Sequence, residues 1–369
     1  MDKKQLIDFQ QNISLNSKIF VEGLLQWDQI SNTRAMPWKG EKDPYKIWLS
    51  EIILQQTRVE QGRKYYENFI SNFPAVASLA NAPEEKIFKL WEGLGYYSRC
   101  RNLIGSAKFI HQQLSGKFPD KYEDILALKG VGAYTAAAIA SFAYNLPYAV
   151  VDGNVLRVLS RIFAIPLPVD SPKGRQFFNK LAQEMLPDGS AGIYNQAIMD
   201  FGATVCKPLP DCHNCFFNHH CSAFKTNMQG KLPVKEKKLK IRNRHFHYFF
   251  LIHDRTTAVR CRLQKDIWQN LFEFPVIESD FDSNSAVVAE QFIKDHNLKA
   301  APCKPQLSVN QKLTHQQLKI HVYTIQVEER PVLRDFQWIG LHEISNFAFP
   351  RTLARFLQQH EHKDSWQKI

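Results

Sequence analysis

The first 225 residues carry apolar side chains with the period of an α-helix. Residues 1–30 place their apolar side chains on one face, which predicts an amphipathic helix. After a loop broken by prolines, residues 47–70 (IWLSEIILQQTRVEQGRKYYENFI) predict one long helix. Shorter helices are expected through residues 75–115, and two more through residues 172–203. The first part of the chain is therefore predicted to be helical throughout.

Residues 126–144 predict two helices joined by a tight turn, a helix–hairpin–helix. Gly130 and Gly132 form the turn, and an alanine-rich helix follows over residues 133–144. Two glycines before a helix can expose backbone N–H groups that hold a phosphate. The alternative is a plain tight turn between two core helices. The segment is compatible with a contact to nucleic acid but does not require one.

The pattern changes to strands near residue 245. Runs of β-branched and aromatic residues predict strands at YFFLIH, TTAVRCRL, LFEFPVI, LKIHVYTI and DFQWIGL, with helices at AVVAEQFIKDH and RTLARFLQQH. We therefore expect a mainly α protein whose second part is α+β. The predicted boundaries are a helical domain over residues 1–225, a basic linker over 226–244 and an α+β domain over 245–369.

The net charge of the chain predicts the kind of partner that it binds. The chain has 369 residues, with 47 Lys and Arg against 36 Asp and Glu, and a net charge of +11. A basic protein favours a polyanionic partner through phosphate contacts. No apolar run approaches the roughly 20 residues of a membrane helix, and the polar start MDKKQLIDFQ lacks the core of a signal peptide. We expect a monomer in the cytoplasm, associated with the nucleoid in a bacterium, and no membrane partner.

Two carboxylates are candidates for acid–base chemistry. Glu51 lies among apolar residues of the predicted long helix, where burial would raise its pKa and let it donate a proton near neutral pH. The alternative is an edge carboxylate paired with Arg34 or Arg58. Asp152 directly precedes a run of helical period. It is either an ordinary N-cap or a catalytic carboxylate held ionised by helix N–H groups.

Four of the seven cysteines lie close together. Their spacing is C-x5-C-x2-C-x5-C, formed by Cys206, Cys212, Cys215 and Cys221. Four thiolates at such spacing can hold one iron–sulfur cluster or one zinc ion. The alternatives are buried free thiols and disulfides, and a reducing compartment disfavours the disulfides. The loop over residues 206–221 therefore predicts a metal centre at the end of the helical domain.

The combination of hairpin, carboxylates and cysteine loop resembles the helix–hairpin–helix DNA glycosylase superfamily with a [4Fe–4S] cluster. Within it, four segments resemble the adenine DNA glycosylase (MutY-type) branch: PWK…DPYKIWLSEIILQQT, WEGLGYYSR, VVDGNVLRVLSR and NQAIMDFGA. The strand-rich part resembles the Nudix-like C-terminal domain of that branch, with LFEFP as its clearest piece. The resemblance covers nearly the whole chain.

The resemblance implies base excision repair of adenine mispaired with 8-oxoguanine or guanine in double-stranded DNA. Hydrolysis of the N-glycosidic bond would leave an abasic site. Glu51 matches the general acid that protonates N7, and Asp152 matches the carboxylate that stabilises the oxocarbenium ion. Asn154 matches the neighbour that orients Asp152. Tyr134 stands where lyases of the superfamily place a Schiff-base Lys, so lyase chemistry by that route is not expected.

The resemblance also implies the cofactor and the DNA contacts. The four cysteines would bind the [4Fe–4S] cluster. The remaining contacts are Arg34, Met36 and Gln196 at the adenine, Gln56 and Tyr96 in the base stack, Thr57 at the opposite base, Gly130 and Gly132 at a phosphate, and Thr314 and His315 at 8-oxoguanine.

Two positions depart from the family pattern. The family spacing C-x6-C-x2-C-x5-C is one residue longer before the position of Cys212. The recognition loop, typically Phe-Ser-His, reads Leu313-Thr314-His315 in this chain. We expect cluster binding to persist and 8-oxoguanine recognition to be retained, because Thr314 keeps a hydroxyl and His315 keeps the imidazole.

Three other functions compete with this one. An endonuclease III-like glycosylase/lyase acting on oxidised pyrimidines is disfavoured by Tyr134 and by the additional C-terminal domain. A Nudix pyrophosphohydrolase needs a glutamate-rich metal-binding helix, whereas residues 286–298 offer only Glu290 and Asp295. A non-catalytic DNA-binding relic is disfavoured because both candidate carboxylates are present.

Overall fold

The computed structural model describes residues 3–236, 241–281, 284–301, 303–313 and 315–361. The chain divides into two compact units, Met1–Ala80 with Asn102–Lys238, and Asn81–Arg101 with Leu239–Ile369. Within the described ranges, no helix has the length and apolar character that crossing a membrane requires. The predicted domain boundaries stay a prediction, and the second unit includes a short stretch from the first third of the chain.

The first unit is helical, as the periodicity predicts. The helices up to the cysteine loop are α1 Lys3–Ile30, α2 Pro44–Leu54, α3 Val59–Asn72, α4 Val76–Ala80, α5 Glu84–Trp91, α6 Tyr97–Gln113, α7 Tyr122–Leu126, α8 Ala133–Tyr144, α9 Gly153–Ile162, α10 Pro172–Glu184 and α11 Ala191–Thr204, and α12 Ser222–Lys225 follows the loop. Of these, α5 and the start of α6 belong to the second unit.

The prediction of one long helix over residues 47–70 is wrong, because the chain breaks between α2 and α3. Gln56 has a φ of 57°, in the left-handed region where an α-helix cannot continue. The break lets α3 fold back closely against the end of α2. A Cβ on Gly62 would lie 2.7 Å from Cδ2 of Leu54. The apolar period continues across the break, and the sequence pattern alone therefore misses it.

A core of aromatic and aliphatic side chains holds α1, α9, α10 and α11 together. Its largest members include Phe20, Phe178, Tyr194 and Phe201, none more than 2% exposed. Phe217, from the cysteine loop, joins the same core with its ring centroid 5.1 Å from that of Phe20. The core thereby fixes the two helices, α9 and α11, that carry Asp152 and Gln196.

The predicted helix–hairpin–helix is confirmed by α7, the turn and α8. Gly130 has a φ of 80°, which favours glycine, and a Cβ there would lie 2.6 Å from Cβ of Asn102. Gly132 is the N-cap of α8 and has nothing within 4 Å of the Cβ position. The first glycine is therefore required by conformation and close packing, whereas the second leaves space at the helix N-terminus.

The second unit contains a mixed sheet. Its elements are β1 Arg242–His253, β2 Thr256–Cys261, β3 Phe272–Glu273, β4 Val276–Ser279, α13 Ser285–Asp295, β5 Leu307–Lys312, β6 Gln316–Gln326, β7 Gln337–Gly340, a 3-10 helix Leu341–Asn346 and α14 Arg351–Glu361. The strand order is β3-β2-β1-β6-β5, β4 also pairs with β1, and β7 pairs with β2. The central pair, β1 and β6, is parallel.

Both faces of this sheet are covered by helices. On one face, Phe250 of β1 packs with Phe356 of α14, and on the other Phe249 stacks on Phe292 of α13 at 3.6 Å between centroids. The predicted α+β character is confirmed. The sequence pattern missed β5, whose residues alternate between half-buried and exposed, and it merged β3 and β4 into one strand.

Alanine substitutions at the two hairpin glycines should lower the stability of the protein by different amounts. We expect Gly130→Ala to lower the free energy of unfolding by about 1–3 kcal/mol, since it combines a left-handed φ with a steric clash. Gly132→Ala should cost under about 1 kcal/mol, because the site is open and φ is negative. Urea unfolding of both variants measures the difference. Equal losses would contradict the packing described for Gly130.

Candidate active site

A cavity of about 650 Å³ opens in the first unit. It is bordered by α2, the loop before it, α8, α9 and α11. The predicted site residues that line it are Arg34, Met36, Glu51, Gln56, Thr57, Tyr134, Asp152, Asn154 and Gln196. Side chains from distant parts of the sequence therefore share one concave site, as an enzyme active site requires.

Glu51 lies at the buried side of this cavity on α2. The helix begins at Asp43, whose side chain accepts a hydrogen bond from the Tyr45 N–H at 2.9 Å, with Pro44 in the first turn. Glu51 is 7% exposed, among the buried apolar residues of α2. Burial raises its pKa from the ordinary 4.5 to about 7. The carboxyl can therefore hold a proton near neutral pH.

Tyr134 and Asp152 act on the same carboxyl in opposite directions. The Tyr134 hydroxyl hydrogen-bonds the Glu51 carboxylate and lowers its pKa, while the negative charge of Asp152 raises it. Burial, and then the nearby negative charges, raise the pKa of the Tyr134 hydroxyl well above its usual range. The Tyr134 hydroxyl therefore keeps its proton and donates a hydrogen bond in this site.

Asp152 caps helix α9 and points its second oxygen at Asn154. Its Oδ1 accepts from the Val155 N–H at 2.7 Å, and its Oδ2 accepts from Asn154 Nδ2 at 2.7 Å. Burial raises the pKa of Asp152, and these hydrogen bonds together with the charge of Arg157 oppose the rise. The N-cap and the catalytic interpretations are compatible, because one carboxylate can cap the helix and line the cavity.

Arg157 connects this carboxylate to the cysteine loop. Its guanidinium donates to Asn154 Oδ1 at 2.8 Å, to the Gly202 carbonyl at 2.7 Å and to the Cys206 carbonyl at 2.8 Å. Asn154, which the sequence singled out, is thus held between Asp152 and Arg157. Arg157 is not among the predicted site residues, although its position about one turn along α9 from Asp152 is visible in the sequence.

The far wall of the cavity contains a buried ion network that the sequence analysis missed. Its centre is Asp200, which is fully buried on α11. Its carboxylate accepts hydrogen bonds from Arg34 Nη1 at 2.7 Å, Lys39 Nζ at 2.8 Å and Gln196 Nε2 at 2.9 Å. Asp200 lies between apolar residues of its helix. The same pattern, a carboxyl among apolar residues, predicted burial for Glu51.

The four cysteines line a small cavity of their own next to α9. They are Cys206, Cys212, Cys215 and Cys221, and all are free thiols. The guanidinium of Arg161 lies 3.6 Å from Cys206 Sγ and donates to the Lys207 carbonyl at 2.6 Å. Across the described residues, no group of three or more His, Cys, Asp and Glu side chains is placed so that it could hold a metal ion. The ligand set stays a prediction.

Two residues predicted to enter the base stack both have left-handed backbone. Gln56, with φ 57°, is exposed at the break between α2 and α3 in the first unit. Tyr96, with φ 47° and 44% exposed, lies in the second unit after Gly93 and Gly95. A positive φ is unusual for residues of these types and often marks a functional position.

The predicted recognition loop lies in the turn between β5 and β6 of the second unit. Leu313 N–H donates to the Gln316 carbonyl at 2.8 Å and its side chain packs against the sheet core. His315 is exposed, and its carbonyl accepts from the Arg242 N–H at 3.0 Å. Thr314 lies outside the described residues. The Leu at position 313 therefore anchors the turn to the core.

Removing the buried carboxyl should change stability in a pH-dependent way. Because the pKa of Glu51 is about 7 in the folded protein and near 4.5 in the unfolded chain, folding loses stability as pH rises between these values. Glu51→Gln should therefore raise the free energy of unfolding by up to about 3 kcal/mol at pH 8, and by little near pH 4.5.

The measurement is urea unfolding at both pH values, beside Glu67→Gln as a matched control. Glu67 is exposed on α3, so its variant should differ little from the parent at either pH. A Glu51→Gln variant without the pH-dependent gain would show that Glu51 ionises like an ordinary surface carboxyl.

Comparison with known proteins identifies two families along the chain. A model of HhH-GPD superfamily base excision DNA repair proteins matches residues 49–183, and a NUDIX domain model matches residues 247–359. A solved thermostable thymine-DNA glycosylase is 28% identical with a TM-score of 0.53, covering 58% of this chain and 98% of its own.

Two curated relatives extend over nearly the whole chain. The adenine DNA glycosylase of Buchnera aphidicola subsp. Schizaphis graminum is 31% identical over 349 residues, covering 92% of this chain and 98% of that protein. The adenine DNA glycosylase of Buchnera aphidicola subsp. Baizongia pistaciae is 32% identical over 336 residues, covering 90% of each. The chain therefore belongs to the adenine DNA glycosylases, DNA base excision repair enzymes of the helix–hairpin–helix superfamily.

Proposed function

We propose that this enzyme hydrolyses the N-glycosidic bond of adenine opposite 8-oxoguanine or guanine, with Glu51 as the general acid. The observation that carries the proposal is the buried Glu51 carboxyl, with its pKa near 7, in one cavity with Asp152. A protonated carboxyl and a second carboxyl held by hydrogen-bond donors are the usual basis of glycosidic bond hydrolysis, and Asp152 accepts from the Val155 N–H and from Asn154. DNA supplies the phosphates that a chain of net charge +11 favours.

The reaction begins when adenine leaves the base stack, at a cost of roughly a few kcal/mol. Protonated Glu51 donates its proton to N7, so that the bond from N9 to the sugar can break with its electron pair on the base. Asp152 stabilises the positive charge that develops on the sugar. Water then adds to the sugar carbon and gives up a proton. The products are free adenine and an abasic site.

The chain is proposed to be monofunctional. Tyr134 stands at the position of the lyase nucleophile, and two lysines line the cavity elsewhere. Lys39 Nζ lies 2.8 Å from a carboxylate oxygen of Asp200, and Lys42 Nζ donates to the Phe142 carbonyl at 3.0 Å. Since these partners hold both amines, we propose that no Schiff base forms and that the DNA strand stays intact.

Recognition of the mispair is proposed to involve both units. In the first, Thr57 and Gln56 line the mouth of the cavity. In the second, Tyr96 would enter the stack, and Thr314 with His315 would contact 8-oxoguanine. The hydroxyl and imidazole can hydrogen-bond the modified base, and the exposure of His315 supports this role.

We also propose that the cysteine loop binds a [4Fe–4S] cluster. The four cysteines line one cavity next to the Arg161 guanidinium, and four thiolates are the usual ligands of such a cluster. The cluster would tie residues 206–221 to α9, the helix that carries Asp152. Hydrolysis needs no electron transfer, so this role is structural.

Adenine release tests the proposal. On a duplex with adenine opposite 8-oxoguanine, the parent should release adenine in a single turnover, with strand breaks only after alkali. Glu51→Gln should lower the rate at least about 100-fold, since general acids contribute 10²–10⁴-fold. The parent rate should fall as pH rises through about 7, because Glu51 loses its proton there.

Glu67→Gln should keep the parent rate, since this carboxyl is exposed outside the cavity. Breaks without alkali would instead favour the glycosylase/lyase, and bound duplex without base release would favour the relic. A duplex with guanine in place of 8-oxoguanine measures the discrimination at the opposite base.

Iron content tests the cluster. The purified chain should carry about four irons and the broad visible absorption of a [4Fe–4S] cluster. Cys212→Ser should lose iron and melt at a lower temperature, whereas Cys303→Ser, a free cysteine in the second unit, should keep its iron. One zinc per chain in place of iron would contradict the proposal.

A further inference from the structure

Behind the cavity wall, each carboxylate oxygen of Asp200 accepts two hydrogen bonds. Its side chain is fully buried, and it accepts hydrogen bonds from Asn32, Arg34, Lys39 and Gln196 at 2.7 to 2.9 Å. Two of these donors are cations, which favour the ionised carboxylate. A buried ion with this many donors is costly to disturb. Its arrangement therefore constrains the side chains that face the cavity.

The carboxylate determines how the Gln196 amide is oriented. An ionised carboxylate can only accept hydrogen bonds, so Gln196 must turn its NH₂ group toward Asp200. The distance from Gln196 Nε2 to Asp200 Oδ1 is 2.9 Å. Among the described residues, Gln196 Oε1 has no hydrogen-bond donor, and Gln196 lines the cavity. The amide thus offers the cavity an acceptor.

We propose that Asp200 is a positioning residue that determines base specificity by holding the Gln196 carbonyl toward the substrate base. The exocyclic amine of adenine at C6 is a donor and pairs with this acceptor. Hypoxanthine and guanine carry an oxygen at C6, and two acceptors facing each other are unfavourable. This inference rests on the proposed function, because it assumes that the excised base occupies this cavity.

The same network leaves the wall close to electrically neutral. The cations Arg34 and Lys39 face the anions Asp200 and Asp28, with Lys39 Nζ 3.7 Å from Asp28 Oδ1. A neutral wall tolerates the positive charge that adenine gains when Glu51 protonates it. Loss of either carboxylate would leave one excess positive charge near the base. The charge effect is common to both aspartates, whereas the orientation of Gln196 depends on Asp200 alone.

Asp200→Asn separates these effects. The new amide can donate to Gln196 Oε1, so that the glutamine can reverse and present NH₂ to the cavity. We expect the ratio of single-turnover rates, adenine over hypoxanthine opposite 8-oxoguanine, to fall about tenfold or more relative to the parent, as one reversed hydrogen bond predicts. Asp28→Asn removes the same charge and can slow the reaction, but it should keep the parent ratio.

A double-mutant cycle shows whether the effect passes through Gln196. In Gln196→Met the amide is gone, so adding Asp200→Asn should leave the ratio unchanged. A further shift in that background would overturn the proposal. So would an Asp200→Asn variant that is slower on both bases with the parent ratio, because Asp200 would then be only structural.

If Asp200→Asn does not fold, Gln196→Glu tests the hydrogen bond between Gln196 and Asp200 by changing its other partner. A carboxylate cannot donate to Asp200, so adenine release at pH 8 should drop at least about tenfold. A Gln196→Glu variant with the parent rate would overturn the proposal. Absence of adenine release by the parent itself, opposite 8-oxoguanine and guanine alike, would refute the proposed function instead.

Discussion

The burial of one carboxyl, Glu51, is the constraint on which the active site depends. A carboxylate among the apolar residues of α2 is unfavourable, and it is tolerated because the group can stay protonated near pH 7. The same property makes it an acid. Its pKa stays high only where no nearby cation favours the ionised form. The two neighbours that act on this pKa are Tyr134, which supplies a hydroxyl, and Asp152, which supplies a carboxylate.

The second carboxyl is positioned by close packing of two helices. A Cβ on Gly202 would lie 2.7 Å from Cβ of Asn154, so α11 can approach the start of α9 only with glycine at that position. The approach brings the Gly202 carbonyl within 2.7 Å of Arg157, whose other bonds reach Asn154 and the Cys206 carbonyl. Hydrogen bonds through Arg157 and Asn154 therefore connect the Cys206 carbonyl, where the cysteine loop begins, to the Asp152 carboxylate.

Sequence periodicity and local motifs predicted most helices, the hairpin and the α+β second part, because each depends on residues near each other in the chain. The break after Leu54 escaped detection because the left-handed backbone at Gln56 leaves the apolar period of the sequence unchanged. The Asp200 network escaped for a related reason. Its donors come from positions 32, 34, 39 and 196, and no local pattern relates the first three to a helix more than 150 residues away. Contacts between residues that are far apart in the sequence can be identified only from the structure.

Glu51 and Asp152, which line the cavity, and Asp200, which is buried behind its wall, have different hydrogen-bond partners. Glu51 has the Tyr134 hydroxyl as its partner, and burial raises its pKa to about 7. Asp152 has two N–H donors and the nearby Arg157, which favour the ionised form against burial. Asp200 accepts hydrogen bonds from two cations, Arg34 and Lys39, within the wall. The same functional group, a carboxyl, can therefore serve in three roles: as a proton donor, as a counter-charge for the sugar, and as the group that fixes an acceptor for the base. The role of each carboxyl depends on the donors and cations around it.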